Sequence, residues 1–273
     1  MRQIDRMSVE IYDKGIKCRL KKNKEFEYGK KGEGSKREKI TVFSKKSKKR
    51  LAWIYSQGDW CQMMTLTYHR SFPDFETGKN HLSVVKKTLN RMSVKWLWVV
   101  EFQGRGFPHY HVWLDRKLEE SEKKRVIDSW LCATDQVFDD DAERFHRHEK
   151  IFTDWNVELG INYAVKYAEK QEQKYLPVGI ESYGRWWGSN KEILPEKGGE
   201  LTIEKDGVTE VESVKFRRQV KRAIWHWKGK KRKTLFDKQT NSGFTFILRE
   251  SRKKAIERIY ENFLLEIGVR RNV

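Results

Sequence analysis

Trp96-Leu97-Trp98-Val99-Val100-Glu101-Phe102-Gln103-Gly104-Arg105-Gly106-Phe107-Pro108-His109-Tyr110-His111-Val112-Trp113-Leu114 is the stretch that decides the fold class. Both ends are rich in aromatic and β-branched residues, which favour strands. Gln103 to Pro108 carries two glycines and a proline and reads as the turn between them. The stretch is therefore expected to form a β-hairpin. Residues two apart on a strand point to one face, so His109 and His111 project side by side. Glu101, on the neighbouring strand, is placed to add a carboxylate. Two imidazoles and a carboxylate suit a divalent ion such as Mn²⁺ or Mg²⁺, with water in the open positions. Taken alone, a His-x-His pair is also a common surface pattern.

Outward from the hairpin, the chain alternates strands with amphipathic helices. Ser44 is a candidate cap for a helix running to about Gln57. Gln62 to Tyr68, including Thr65-Leu66-Thr67, reads as a strand. Leu82, Val85, Leu89 and Met92 recur at helical spacing over roughly 79–92. Val126, Ile127, Trp130 and Leu131 mark a helix over about 119–132. Asp135 to Glu149 is acidic and reads as a solvated loop, with His146 and His148 as surface histidines. Tyr183-Gly184-Arg185-Trp186-Trp187-Gly188 reads as a tight loop, open to packing or to base stacking. Residues 190–210 read as a polar loop or hairpin, 243–248 as a strand, and Ser251 to Gly268 as a last helix.

The stretch 161–170 predicts a second amphipathic helix with chemistry on one side. Ile161, Ala164, Val165 and Ala168 make an apolar face; Tyr163, Lys166, Tyr167 and Lys170 make the other, at i, i+3, i+4 and i+7. The two phenols are one turn apart, about 6 Å along the axis. A phenol attacks a phosphodiester if a cation offsets the developing charge, and Lys166 lies between the two. The same pattern also fits tyrosines at a core margin.

The 273 residues carry a net charge of +19, which points to a polyanionic partner: nucleic acid or an anionic membrane surface. Thirteen per cent aromatic residues, including 11 tryptophans, supply a core despite 36% charged residues. Between Lys14 and Arg50 there are 16 Lys/Arg against 4 Glu, which reads as a peripheral arm, solvated or DNA-contacting. Residues 215–233 hold ten Lys/Arg and no acid, interleaved with Phe216, Trp225 and Trp227. Arg217, Arg218, Lys221, Arg222, Lys230 and Arg232 are the candidate DNA contacts there, with Arg185 and Trp186 from the aromatic loop. Cys18, Cys61 and Cys132 are scattered and odd in number, which indicates neither a disulfide framework nor a zinc ribbon. No apolar run near the centre approaches the ~20 residues of a membrane span. The first residues lack a signal-peptide core. A cytoplasmic protein without a membrane partner is expected.

Thr-Leu-Thr on an apolar strand, then His-apolar-His, then Tyr-x-x-Lys-Tyr, in that order, resembles the HUH endonucleases. Among them the chain is similar to the rolling-circle replication initiators of single-stranded-DNA phages and plasmids, in the two-tyrosine subgroup. The resemblance runs from about Met63 to Lys170. Conjugative relaxases differ, because their tyrosine precedes the histidines. The resemblance implies an RRM-like α+β fold, a central antiparallel sheet with flanking helices. It implies Glu101, His109 and His111 as ligands of Mn²⁺ or Mg²⁺, Tyr163 as nucleophile, Tyr167 as second nucleophile and Lys166 as the helix lysine. The implied partners are single-stranded or locally melted origin DNA and a host helicase and polymerase, with no small-molecule cofactor.

Three divisions are expected: a basic N-terminal arm and helix over 1–58, the endonuclease core over 59–190, and a basic region over 191–273 that completes the core or is appended to it. No Gly-x-x-x-x-Gly-Lys-Ser/Thr loop occurs, so no ATP hydrolysis is expected. Two other readings stay open: a single-strand transposase of the same chemistry, and a non-enzymatic nucleic-acid-binding protein.

Overall fold

The computed structural model describes residues 3–12, 14–21, 43–69, 71–148, 151–155, 176, 183–190, 193, 198–226, 234–240, 243–248 and 252–268. Its strands are β1 (Gln3–Tyr12), β2 (Gly15–Lys21), β3 (Gln62–Leu66), β4 (Trp96–Phe102), β5 (Pro108–Leu114), β6 (Phe152–Asp154), β7 (Trp187–Ser189), β8 (Gly198–Thr209), β9 (Thr234–Thr240) and β10 (Gly243–Leu248). Its helices are α1 (Lys45–Gln57), α2 (Phe75–Arg91), α3 (Glu120–Ala133), α4 (Asp140–His148), α5 (Glu210–His226) and α6 (Lys253–Glu266). The chain is α+β, with antiparallel sheets and flanking helices. It divides into two compact units, Arg37–Leu194 and Met1–Lys36 with Pro195–Val273. No helix of the described residues is long and apolar enough to cross a membrane.

The unit Arg37–Leu194 is built on a five-stranded sheet in the order β6-β3-β5-β4-β7. The hairpin is present, and its second strand, β5, lies in the middle. The turn closes through Gln103 N to Phe107 O at 2.9 Å and Gly106 N to Gln103 O at 2.7 Å. Gly106 takes φ +82°, a conformation that a Cβ disfavours, so glycine suits this position. Ser44 caps α1 by accepting from Ser47 N at 3.2 Å. Asp74 caps α2 by accepting from Glu76 N and Thr77 N at 2.8 and 2.9 Å.

Strand alternation gives this sheet two distinct faces. Tyr68, after β3, and Tyr110 of β5 meet Trp130 of α3 at ring distances of 5.1 and 6.1 Å. Leu82, Val85 and Leu89 of α2 and Val126, Ile127 and Leu131 of α3 are buried. Trp113 lies on the other face, two residues beyond His111. Tyr55 of α1 meets it edge-on at 5.4 Å, and Trp155 at 5.9 Å. That face is thus closed by aromatics at its Trp113 end, and the two histidines lie along the same strand towards the turn.

The other unit has a five-stranded sheet in the order β8-β1-β2-β10-β9. Met7, Val9 and Ile11 of β1 and Ile16 and Cys18 of β2 are buried with Phe216, Val220 and Ile224 of α5 and Ile256, Tyr260 and Phe263 of α6. Phe216 stacks on Phe263 at 4.7 Å. Residues 15–21 of the basic stretch therefore form a paired strand where the charge count suggested a peripheral arm. The alternation before them, apolar at Met7, Val9 and Ile11, is a strand signal that the surrounding charges obscure. Residues 198–209, expected as a polar loop or hairpin, form a strand, β8, which pairs with β1. Gly243 sits at φ +134°, where a Cβ would come within 2.0 Å of Cys18 O on β2.

Candidate active site

The register of the hairpin sets the site. Glu101 of β4 faces His109 of β5, Val99 faces His111, and Thr65 of β3 faces His111 from the other side. Directly opposed residues share a face, so Glu101, His109, His111, Thr65 and Thr67 belong to one surface. All three expected ligands are brought together. Glu101 Oε2 lies 3.4 Å from His111 Nε2, and both side chains are buried. The rings of His109 and His111 are nearly perpendicular, with centroids 4.8 Å apart.

Three residues of the turn and of β3's extension brace His109. Gln103 Nε2 approaches His109 Nδ1 at 3.4 Å and donates to Thr67 Oγ1 at 3.0 Å. Arg105 Nε donates to Gln103 Oε1 at 2.9 Å, which holds the amide in that orientation. The Arg105 guanidinium also donates to the carbonyls of Tyr68 and His69. The turn is thereby fastened to the end of β3. Gln103 and Arg105 were legible only as turn residues; their reach to His109 and β3 depends on the fold.

The donors fit a cation in part. Burial, then the neighbouring His111 and then Arg105, lower His109 to about 4. The ring is thus neutral at pH 7, as a metal ligand must be. Glu101 Oε1 is buried and accepts no hydrogen bond among the described residues. Ligands about 2.0–2.2 Å from one cation stand roughly 3–3.5 Å apart, which the Glu101–His111 spacing meets. The third donor is not closed around the same point. Among the described residues, no group of three or more His, Cys, Asp or Glu is gathered to hold a metal ion.

The other expected residues divide. Tyr163, Lys166 and Tyr167 lie outside the described residues, as do Lys230 and Arg232. Arg218, Lys221 and Arg222 lie on α5, the last two exposed and Arg218 partly so, and Arg217 is exposed to a similar or lesser degree along the same helix. Phe216, Val220 and Ile224 form the buried stripe of that helix, so Phe216 is core and not a base-stacking group. Trp225, 75% exposed, extends the basic side of α5. Arg185 is exposed, and its charge adds to burial in lowering the Lys86 ammonium.

Trp186 is a correction. It is 2% exposed, stacks on Phe43 at 6.1 Å and meets Phe102 edge-on at 5.5 Å. Its ring is a packing group, closed to a base. His146 is another correction. It is 1% exposed, on α4, where an acidic loop with surface histidines was expected.

No curated protein and no solved structure matches the chain. What the chain does resemble, over residues 61–172, a span that carries β3 to β6 and all three candidate ligands, is the family described as replication-associated protein ORF2.

Proposed function

We propose that the protein is a rolling-circle replication initiator, which nicks and rejoins single-stranded DNA through a tyrosine–DNA ester. The observation that carries this is the Glu101–His109–His111 cluster on two paired strands of a sheet whose sequence is similar to a replication-associated family. The single-strand transposase shares the chemistry but has no separate observation in its favour.

Glu101, His109 and His111 would hold Mn²⁺ or Mg²⁺, which when bound supplies positive charge to a scissile phosphate. The remaining roles belong to the chain. Burial keeps His109 neutral, and Gln103 with Arg105 holds its ring. Tyr163 attacks phosphorus in line. A bond forms from the phenolic oxygen to phosphorus, and the bond from phosphorus to the 3′ oxygen breaks. The phenolic proton is lost and the 3′ oxygen gains one. The products are a 5′-phosphotyrosine and a free 3′-OH for a polymerase. Lys166 offsets the phenolate charge, and Tyr167 repeats the attack when the displaced strand is cut and joined. The basic side of α5 contributes sequence-independent affinity. Duplex unwinding falls to a separate host helicase.

The test is incubation of a labelled single strand with the protein and Mn²⁺, followed by a denaturing gel. A band in which DNA stays covalently on protein, absent with chelator, is expected. DNA binding with no adduct on any single-stranded or origin-bearing substrate would leave a binding protein and no nuclease.

A further inference from the structure

A hollow of about 410 Å³ lies on the unit Arg37–Leu194, away from the residues of the candidate active site, between α3, α4 and β6. It falls in the size range of sites for a single small group. Its inner wall is apolar and aromatic: Ile127 of α3, the imidazole of His146 and the ring of Phe152 on the edge strand β6. Its outer wall is cationic, from Lys123, Lys124 and Arg147. Lys123, Lys124 and Ile127 fall on one face of α3 by their spacing.

The charges are not equally committed. Arg147 is tied to Asp128 at 2.8 Å and to Glu143 at 3.2 Å. Lys123 is paired with Glu120 at 2.6 Å, and its ammonium also stands 5.8 Å from the Phe152 ring centre. Lys124 is exposed and makes no ion pair among the described residues. His146 adds a second kind of contact. Its Nδ1 lies 2.8 Å from Ala142 O, and a carbonyl only accepts, so Nδ1 carries the proton. Its Nε2 is then a buried lone pair, and it has no hydrogen-bond partner among the described residues.

An aromatic wall, a buried acceptor and a cationic rim are the three elements that hold an unpaired nucleotide: a face to stack on, a partner for a base N–H, and charge for its phosphate. We infer that this hollow is a subsite for one unpaired nucleotide of the bound DNA strand, with the base against Phe152 and its phosphate at Lys124. The subsite rests on the proposed DNA-nicking function and adds a contact point outside the Glu101–His109–His111 cluster. It accepts a single strand because a paired base has no free face to present.

Photocross-linking reads the contact directly. The probes are oligo(dT) and oligo(dC) strands carrying 5-iodouracil or 5-iodocytosine at one position at a time. A cross-linked peptide containing Phe152 is expected. Phe152→Ala should weaken single-strand binding roughly five- to a hundred-fold, the range for loss of one stacked base. Lys124→Glu, at an exposed helix position, should reduce the salt slope of binding by about 0.7 for one lost phosphate contact. This variant carries the test if Phe152→Ala folds poorly. Adduct formation at saturating DNA should be retained in Lys124→Glu. Absence of a Phe152 cross-link in the wild-type protein, or an unchanged salt slope in Lys124→Glu, overturns the subsite. If those results come with an intact covalent adduct, the nicking function stands and the subsite alone is lost. An absent adduct in the wild-type protein overturns the function on which it rests.

Discussion

Glu101 leans diagonally across the hairpin. Its register partner is His109, yet its Oε2 lies 3.4 Å from Nε2 of His111, the partner of Val99. The carboxylate therefore couples both histidines, one by register and one by contact.

Removing either histidine should stop cleavage and spare DNA binding, which the basic surfaces carry. His109→Ala and His111→Ala are expected to give no adduct on a denaturing gel. Glu101→Ala should lower Mn²⁺ affinity about ten- to a hundred-fold in calorimetric titration. Wild-type nicking by the double histidine variant in chelator would remove these residues from the mechanism.

The two tyrosines make a separable prediction. Tyr163→Phe and Tyr167→Phe should each retain some adduct on a simple single strand, and the double variant none. A two-site substrate that must be cut and rejoined should fail with either single change. Complete joining by Tyr167→Phe at the wild-type rate would make the enzyme a one-tyrosine nuclease.

On α5, Arg218, Lys221, Arg222 and the exposed Trp225 lie on the side away from Phe216, Val220 and Ile224. Replacing Arg218, Lys221 and Arg222 by Gln should flatten the dependence of log affinity on log salt by up to ~0.7 per lost phosphate contact on a single strand. Trp225→Ala should weaken binding with little change in that slope. A fluorescence-anisotropy titration at several salt concentrations separates the two, and an unchanged slope in the triple variant would take α5 off the DNA.

Acid should weaken the fold partly through His146. Burial lowers this imidazole to about 4 from the ordinary 6.5. Between those values the unfolded chain binds the proton and the folded one does not. Stability from this group is therefore full above pH 6.5, falls as pH drops to about 4, and levels off below. The loss should be at most a few kcal/mol. In urea melts across that window, His146→Gln should lose less stability than the wild type; parallel curves would mean that another group dominates.

Trp186→Ala tests the change of role from DNA contact to core. The truncation should cost roughly 3–5 kcal/mol, the range for a buried Trp or Phe. The fraction that remains folded should bind single-stranded DNA with wild-type affinity. Weaker binding by a stably folded Trp186→Phe variant would return the residue to the interface.

The hairpin and most helices were legible because their signals are local. Alternation, turn glycines and the caps at Ser44 and Asp74 all act within a few residues. The cluster was legible for the same reason, since period two and one short turn are enough to align Glu101 with His109. What failed depends on distant partners. Trp186 is buried by Phe43 and Phe102, far from it in sequence. His146 is buried beside His69 and Trp130, and polar neighbours gave no sign of it. The strand at 198–209 has its hydrogen-bonding partner in β1, far back along the chain.

That last pairing also orders events during synthesis. Gln3 must wait for Thr209, so β1 stays without this neighbour for about ten to forty seconds at 5–20 residues per second. During that interval the β1–β2 hairpin has two open edges and an unburied row of Met7, Val9 and Ile11. Open apolar edges recruit other chains, and lysine and arginine near an edge repel them. Lys14, Lys17 and Arg19 supply that repulsion. The positive charge on this hairpin thus has a use on the ribosome, as a guard on an unfinished sheet.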